Sequence, residues 1–518
     1  MRISSRTYSV AIICALAGVA GWAQGRAIGF DWPATGADAQ RTGWLRLDPN
    51  ISVENLSQPV FQFLWREKLD NAPRQSVSLN QGVTMNGLLG FTPASFVSGA
   101  SNVVFAVDND TGYPVWSRRF DASLPAPTAQ CPGGITGAAG RVVSLVREPL
   151  QLPAPGAPLA GYRGGSGLPG EGVPMEIARR DGGAGLRGAS PIPARRGGGG
   201  GVFAGRYEKP IYVVSSAGTL HALGQVSGMD VEKPTPFLPP HARYSDLTAI
   251  GDILYTSTSN ECGGVPNGVW AITLDPPNKT VSSWKTNGGG PIGNLAFTPG
   301  GKLLVAIGPG TTTSGGYANA IVALDPKTLQ PTDWFTTPSA EFVTTPVVIS
   351  RAGREIVAAA TRDSIYLLDA AALGGANHST PLFVIRMGNF TPDALATFEQ
   401  PAGTHWLLVP RPRGIVAFRI VDEGSNPALT PGWTSRDLAA PTAPIVVNDV
   451  VFAASSGRPQ GAAVLYAFDS RTGRELWNSG KTMTSYVPPG NLWASNSQVH
   501  VGTYDGTVYA FGFVLERR

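Results

Sequence analysis

The clearest pattern in this chain is a short apolar run closed by a polar turn, with a tryptophan a few residues beyond. In "VLYAFDSRTGRELWNSG" (464–480), Val464, Tyr466 and Phe468 alternate with Leu465 and Ala467, so both faces are small or apolar. That pattern predicts a β-strand covered on both sides rather than one half-exposed to water. An Asp-x-x-Thr-Gly turn follows, and Trp477 lies eight residues after Asp469.

The same arrangement recurs. It reads "VVFAVDNDTGYPVW" (103–116), "IYVVSSAGTLHAL" (211–223), "GVWAITLDPPNKTVSSW" (268–284) and "AIVALDPKTLQPTDW" (320–334). It continues as "SIYLLDAAALGG" (364–375), "GIVAFRIVDEGSNPALTPGW" (414–433), the 464–477 copy and "TVYAFGF" (507–513). Aligned two residues before the Asp position, the anchors are Ala106, Ala222, Ala271, Ala323, Leu367, Ala417, Ala467 and Ala510. Successive gaps are 116, 49, 52, 44, 50, 50 and 43 residues. The long first gap contains residues 151–205, rich in Gly, Pro and Arg with few large apolar side chains. Such a stretch cannot bury enough surface to offset its ordering entropy, and a disordered insertion is expected there. Without it, the chain carries eight copies at a period of about 48 residues.

A period of 40–50 residues made of short strands and turns fits four-stranded propeller blades. The expected fold is therefore all-β, an eight-bladed propeller, or seven-bladed if 364–375 is not a true copy. The small anchor residue suits an inner strand crowded by neighbouring blades. The Asp accepts from its own downstream amides, and the Gly takes positive φ. Trp116, Trp284, Trp334, Trp433 and Trp477 are expected between adjacent blades. Ring closure requires the N-terminus, and either 31–47 or "FQFLWREKL" (61–69) should complete the last blade.

Composition supports this reading. Charged residues make up 15% of 518, with 65 Gly and 44 Pro, the profile of many strands and tight turns. The formal charge of +4 argues against a nucleic-acid binder, which would cluster Lys and Arg. Arg2 and Arg6 precede an apolar stretch, and Gly21 and Ala23 suit the −3 and −1 positions of a signal-peptidase site. Residues 1–23 are thus expected to be a signal peptide, with 24–518 forming one exported propeller, periplasmic or secreted and monomeric. The apolar run is too short to span a bilayer comfortably. Cys14 leaves with the leader. Cys131 and Cys262 then form an even pair, most simply one disulfide in an oxidising compartment. Two buried thiols are the alternative.

The "A-x-D-x-x-T-G-x-x-x-W" copies resemble the tryptophan-docking motif of the pyrroloquinoline quinone (PQQ) propeller superfamily. "DWPATGADAQRTGW" also looks like that group's usual start. The resemblance covers 30–513 outside the insertion. It implies the fold; the superfamily includes quinoprotein alcohol and sugar dehydrogenases as well as non-catalytic propellers that bind other envelope proteins.

In those dehydrogenases a strand end reading Thr-Gly-Asn supplies an Asn ligand to the Ca²⁺ that grips PQQ. "LYTSTSNECGG" (254–264) is similar, which would give that role to Asn260. The alternative is that Asn260 shapes a turn before Gly263–Gly264. "AAATRDSIYLLD" (358–369) resembles the stretch whose cation contacts the quinone oxygens, implying Arg362 in that place. Its alternative is an ordinary turn residue paired with Asp363. The match fails at the catalytic base: in "TTPSAEFVTTP" (336–346) Ala340 stands where the family has Asp. Glu341 is the adjacent substitute, although successive strand residues face opposite ways. No two cysteines are neighbours, no Cys-x-x-Cys-His attaches haem, and the five histidines are widely spaced. Two functions are consistent with these residues. One is a PQQ- and Ca²⁺-dependent dehydrogenase oxidising a small alcohol or sugar and passing electrons to an external acceptor. The other is a non-catalytic propeller binding an envelope protein or peptide.

Overall fold

Eight sheets follow one another along the chain, one for each repeat copy. The computed structural model describes residues 31–85, 93–146, 209–275, 279–337 and 340–514. The expected signal peptide (1–23) and the insertion (151–205) lie outside the described residues.

Blade 1 is built from Val83–Met85, Ala94–Gly99, Val103–Asp108 and Pro114–Arg119, in that order from the axis outward. Blades 3 to 7 repeat the scheme, their innermost strands being Thr248–Ile250, Pro291–Phe297, Val347–Arg351, Ala396–Glu399 and Ile445–Val447. Blade 2 departs from it: Ile211–Val214, Thr219–Leu223 and the two-residue Thr235–Pro236 form a three-stranded sheet, and Gly140 bridges to Tyr212 on the inner side. Val142–Val143 then leaves that blade and pairs in parallel with Ala249–Ile250 of blade 3. Blade 8 takes three strands from the C-terminus, Leu492–Ser495, Gln498–Gly502 and Thr507–Phe513. Its outermost strand is Phe61–Lys68, antiparallel to Thr507–Phe513. The second of the two candidate N-terminal stretches therefore closes the ring. Among the described residues no helix is long and apolar enough to cross a membrane.

Seven of the eight anchor residues, expected on an inner strand, lie instead on the third of four strands, and Ala222 lies on the middle of blade 2's three; all eight are at most 3% exposed. Their pairing explains why they are small. Ala106, Ala417 and Ala467 sit directly opposite Trp116, Trp433 and Trp477 on the fourth strand. A bulge follows immediately after each anchor; it adds local twist that re-aims a side chain. A methyl group opposite leaves the indole free to turn toward the next blade. The Trp116 indole N–H donates to the Gln225 carbonyl at 2.8 Å, and that of Trp433 to Ser470 at 2.8 Å. Each indole covers the turn glycine of the next blade, Gly228 or Gly473, where φ is positive. Trp334 stacks on His378 (3.6 Å between ring centroids), Trp284 packs on Tyr317, and Trp477 packs edge-on against Phe61. The turn aspartates behave as read from sequence. Asp108 Oδ1, for example, accepts from the amides of Asp110 and Thr111 at 2.8 and 3.0 Å.

The other N-terminal stretch does not complete a blade. Residues 32–45 cross the central channel, and their carbonyls receive amides from the innermost strands of five blades. These are Thr84 to Trp32, Phe297 to Ala39, Val348 to Gln40, Thr397 to Thr42 and Val446 to Gly43, at 2.7–3.0 Å. Trp44–Leu45 finally joins blade 7 as a parallel strand. The channel is thus floored by the chain's own beginning.

Candidate functional site

Polar residues in the innermost strands or just before them gather on one face of the ring, around the axis. Three of them form a relay between blades. The Ala138 amide donates to Asp246 Oδ1 (2.5 Å), the Asp246 amide to Asn294 Oδ1 (3.0 Å), and the Asn294 amide to Thr345 Oγ1 (2.7 Å). Each polar side chain satisfies a backbone donor of the preceding blade, because no strand partner is available at that edge.

Above the floor segment this ring encloses a cavity of about 510 Å³, lined by Trp32, Arg41, Gln81, Arg243, Asp246, Asn260, Asn294 and Asp393 among others. Arg41 is the floor's charge. Its guanidinium donates from Nε to Leu295 O (2.6 Å), from Nη1 to Thr35 O and from Nη2 to Thr248 Oγ1. Burial brings its pKa down to about 10, opposed by the charges of Asp246 and Asp38. Arg243, on the wall, is also lowered by burial. Asp393 is raised by burial against the opposing effect of Arg458, whose Nη2 contacts both carboxylate oxygens at 3.1 and 3.2 Å. Trp32 is fixed by its indole N–H on Gln81 Oε1 at 3.1 Å.

The structure brings together some of the residues singled out in the sequence and separates others. Asn260 stands at the cavity wall, exposed, with φ +63° and its Nδ2 donating to the Gln130 carbonyl at 3.1 Å. It therefore lines the cavity and shapes a turn as well. Cys131 and Cys262 form the expected disulfide, two residues from Asn260. Arg362 does not line the cavity: it forms an ion pair with Glu341, at side-chain exposures of 60% and 36%, and its amide donates to the Glu341 carbonyl. Its partner is Glu341 rather than Asp363, which accepts from Thr361 Oγ1. The candidate cation and the candidate base thus neutralise one another outside the cavity. Ala340 offers only its carbonyl, to Thr337 Oγ1.

The donor set does not fit a Ca²⁺ centre. That ion takes six to eight oxygens, carboxylates prominent among them. Asp246 already holds an amide, Asp393 holds Arg458, and among the described residues no three His, Cys, Asp or Glu side chains converge. The cavity does fit a small, polar, anionic molecule. It is large enough for one, it presents Arg41 and Arg243, and it is walled by amides and hydroxyls.

Sequence reasoning missed Arg41, Arg243, Asp246, Asn294 and Asp393. One signal was present. "DLTA" (246–249), "NLAF" (294–297) and "NLWA" (491–494) share a polar residue, a buried Leu and a buried Ala or Phe on or beside an innermost strand.

Compared by sequence, the chain matches no protein-family model and no curated protein. Compared by structure, it resembles the quinohemoprotein alcohol dehydrogenase of Comamonas testosteroni, at 15% identity and a TM-score of 0.57 over 94% of this chain and 81% of that one. The quinohemoprotein alcohol dehydrogenase ADHIIG of Pseudomonas putida HK5 overlays at 11% identity and 0.56, covering 95% and 81%. A europium-containing methanol dehydrogenase overlays at 10% identity and 0.55, covering 94% and 98%. At these identities the likeness concerns architecture. The chain shares its β-propeller fold with these three dehydrogenases.

Proposed function

We propose that this chain is an exported propeller that holds a small, polar, anionic molecule in its axial cavity, and that PQQ is the first candidate. The observation that carries this reading is the cavity, floored by the buried Arg41 and walled by Arg243 and Asn260. PQQ is a planar quinone with several carboxylates, and when bound it accepts electrons from a substrate. In this chain Arg41 would supply positive potential from below, undiluted by solvent because the site is buried. Arg243 and the Asn260 amide would orient the ligand's polar edge, and the fully buried Trp32 packs behind the floor.

Dehydrogenase turnover on a small alcohol or sugar, with an external electron acceptor, has weaker support. Proton abstraction needs a base within hydrogen-bond reach of the substrate. Ala340 cannot serve, and Glu341 is held by Arg362 away from the cavity. These two facts favour binding without turnover, in keeping with a non-catalytic role beside an envelope protein.

The test is equilibrium dialysis of the exported protein against PQQ, with and without Ca²⁺, followed by an alcohol and sugar panel with an artificial acceptor dye. Retained quinone independent of Ca²⁺, weakened at least tenfold by Arg243→Ala and without dye reduction, supports the reading. Loss of all quinone on dialysis sinks it. Dye reduction would establish the dehydrogenase instead.

A further inference from the structure

We infer that the segment 121–135 is a disulfide-locked clasp that positions Asn260 and Arg243 on the cavity wall, so that ligand capture depends on the oxidation state of Cys131 and Cys262. The ligand half of this inference rests on the proposed axial binding; the clasp itself does not.

The focal point is the Gln130 carbonyl. It accepts from Arg243 Nη1 at 2.8 Å and from Asn260 Nδ2 at 3.1 Å. Both donors line the cavity, whereas Gln130 and the cysteines do not. The clasp therefore grips the wall from behind. The next residue, Cys131, is bonded to Cys262 across 131 positions of sequence, tying the exit of blade 1 to a loop of blade 3. The clasp's base is fixed by Arg74, which donates from Nε to Pro132 O at 2.7 Å and from Nη2 to Pro125 O. Gly134 packs so closely on the Ala100 carbonyl that a β-carbon there would lie 1.8 Å from it. Residues 125–130, by contrast, are mostly exposed and lie in no strand.

The held loop would not adopt this shape unaided. Asn260, Glu261, Gly263 and Gly264 all have positive φ, at +63, +51, +68 and +73°. Glycine takes such angles freely, but Asn260 and Glu261 do not, and two adjacent non-glycine residues in this region persist where the surroundings over-determine them. The covalent bond at Cys262 and the Asn260 amide on Gln130 are the restraints that do so.

Opening the clasp requires a reductant. A dithiol thiolate attacks the disulfide, the Cys131–Cys262 bond breaks, and the second thiol of the reagent closes its own disulfide. Two electrons and two protons pass to the protein, leaving two thiols. Cys131 is only half-buried, so the reagent has access, while Cys262 is buried.

The experiment is amide hydrogen exchange on the unliganded full chain, oxidised and after dithiothreitol, well below the melting temperature, with a Cys131→Ser/Cys262→Ser variant in parallel. The expected result is at least tenfold faster exchange confined to 121–135 and 256–265 in both reduced protein and variant, the innermost strands unchanged. Unchanged exchange overturns the clasp, and so does acceleration spread through all blades, which would make the bond a general staple. PQQ dialysis on the same samples separates the two claims. Binding weakened tenfold on reduction supports redox-dependent capture, and equal binding in both states overturns it. No binding even in the oxidised state, with exchange still changing locally, removes the ligand reading and leaves the clasp standing.

Discussion

The indole of Trp65 lies over Gly112, so close that a β-carbon on that glycine would sit 2.5 Å from Cε3. Its N–H donates to the Asn109 carbonyl at 2.8 Å. Trp65 belongs to the strand that completes blade 8, opposite Ala510, and Gly112 to the Asp-x-x-Thr-Gly turn of blade 1. The contact that joins successive blades thus also closes the ring, between residues on the N-terminal strand and in the first blade. Trp65→Ala is expected to destabilise the fold by about 3–5 kcal/mol, the usual cost of emptying a buried Trp site. Gly112→Ala adds strain, since φ is +80° there. Urea unfolding of both variants, with Tyr113→Ala as an exposed control, measures these effects.

Removing the N-terminus in two steps should separate its two roles. Deletion through residue 46 removes the channel floor and the five amide contacts it receives. The ring should still fold, with lower stability and no retained quinone. Deletion through residue 69 also removes the strand paired with Thr507–Phe513, leaving blade 8 with an unpaired edge and no Trp65. That chain is expected to aggregate. Size-exclusion chromatography and circular dichroism of the two truncations distinguish the outcomes.

These two cases show what the sequence made legible. The Ala–Asp–Gly–Trp signature was readable because it is local: a strand, a turn and an indole within fourteen residues, repeated. Trp65 was not identified as a docking residue because its Ala, Ala510, lies at the other end of the chain. Arg41 was equally hidden, since its acceptors Leu295 and Thr248 are brought to it only by ring closure. The polar residues at the cavity wall lie in or just before the innermost strands, whereas the repeat was aligned on the third strand. Resemblance pointed to Asn260, which lines the cavity, and to Arg362, which pairs with Glu341 outside it.

His500 gives the protein an acid liability. The ring is fully buried in blade 8 between Trp493 and Trp65, and neither nitrogen has a hydrogen-bond partner among the described residues. Burial lowers its pKa to about 3. The unfolded chain, with an ordinary histidine near 6.5, therefore takes the proton first. The penalty is absent above pH 6.5 and grows by about 1.4 kcal/mol per pH unit as pH falls toward 3. His500→Leu should leave stability at pH 8 within about 1.5 kcal/mol of the parent and flatten its decline between pH 6 and 4. Chemical denaturation across that range checks both.

Asp246 serves the relay through one oxygen and Arg41 through its charge, and two substitutions divide these roles. Asp246→Asn keeps an acceptor for the Ala138 amide but removes the charge. Asp246→Ala removes both and leaves a buried N–H unsatisfied, which costs about 1–3 kcal/mol. The expected order of stability is parent, then Asn, then Ala. An Asn variant as unstable as Ala would assign the whole effect to electrostatics with Arg41.

Arg362 provides the sharpest contrast with what family resemblance implies. Its ion pair with Glu341 is largely exposed, and exposed pairs contribute about 0–1 kcal/mol. Arg362→Ala should therefore change stability by less than about 1 kcal/mol and leave quinone retention at the parent level, while Arg243→Ala reduces it. The comparison tests the assignment directly, because a quinone-contacting Arg362 predicts the reverse order. If Arg362→Ala abolishes retention and Arg243→Ala does not, the ligand sits toward blade 5 rather than in the cavity over Arg41. The Arg362–Glu341 pair would then have to open to receive it.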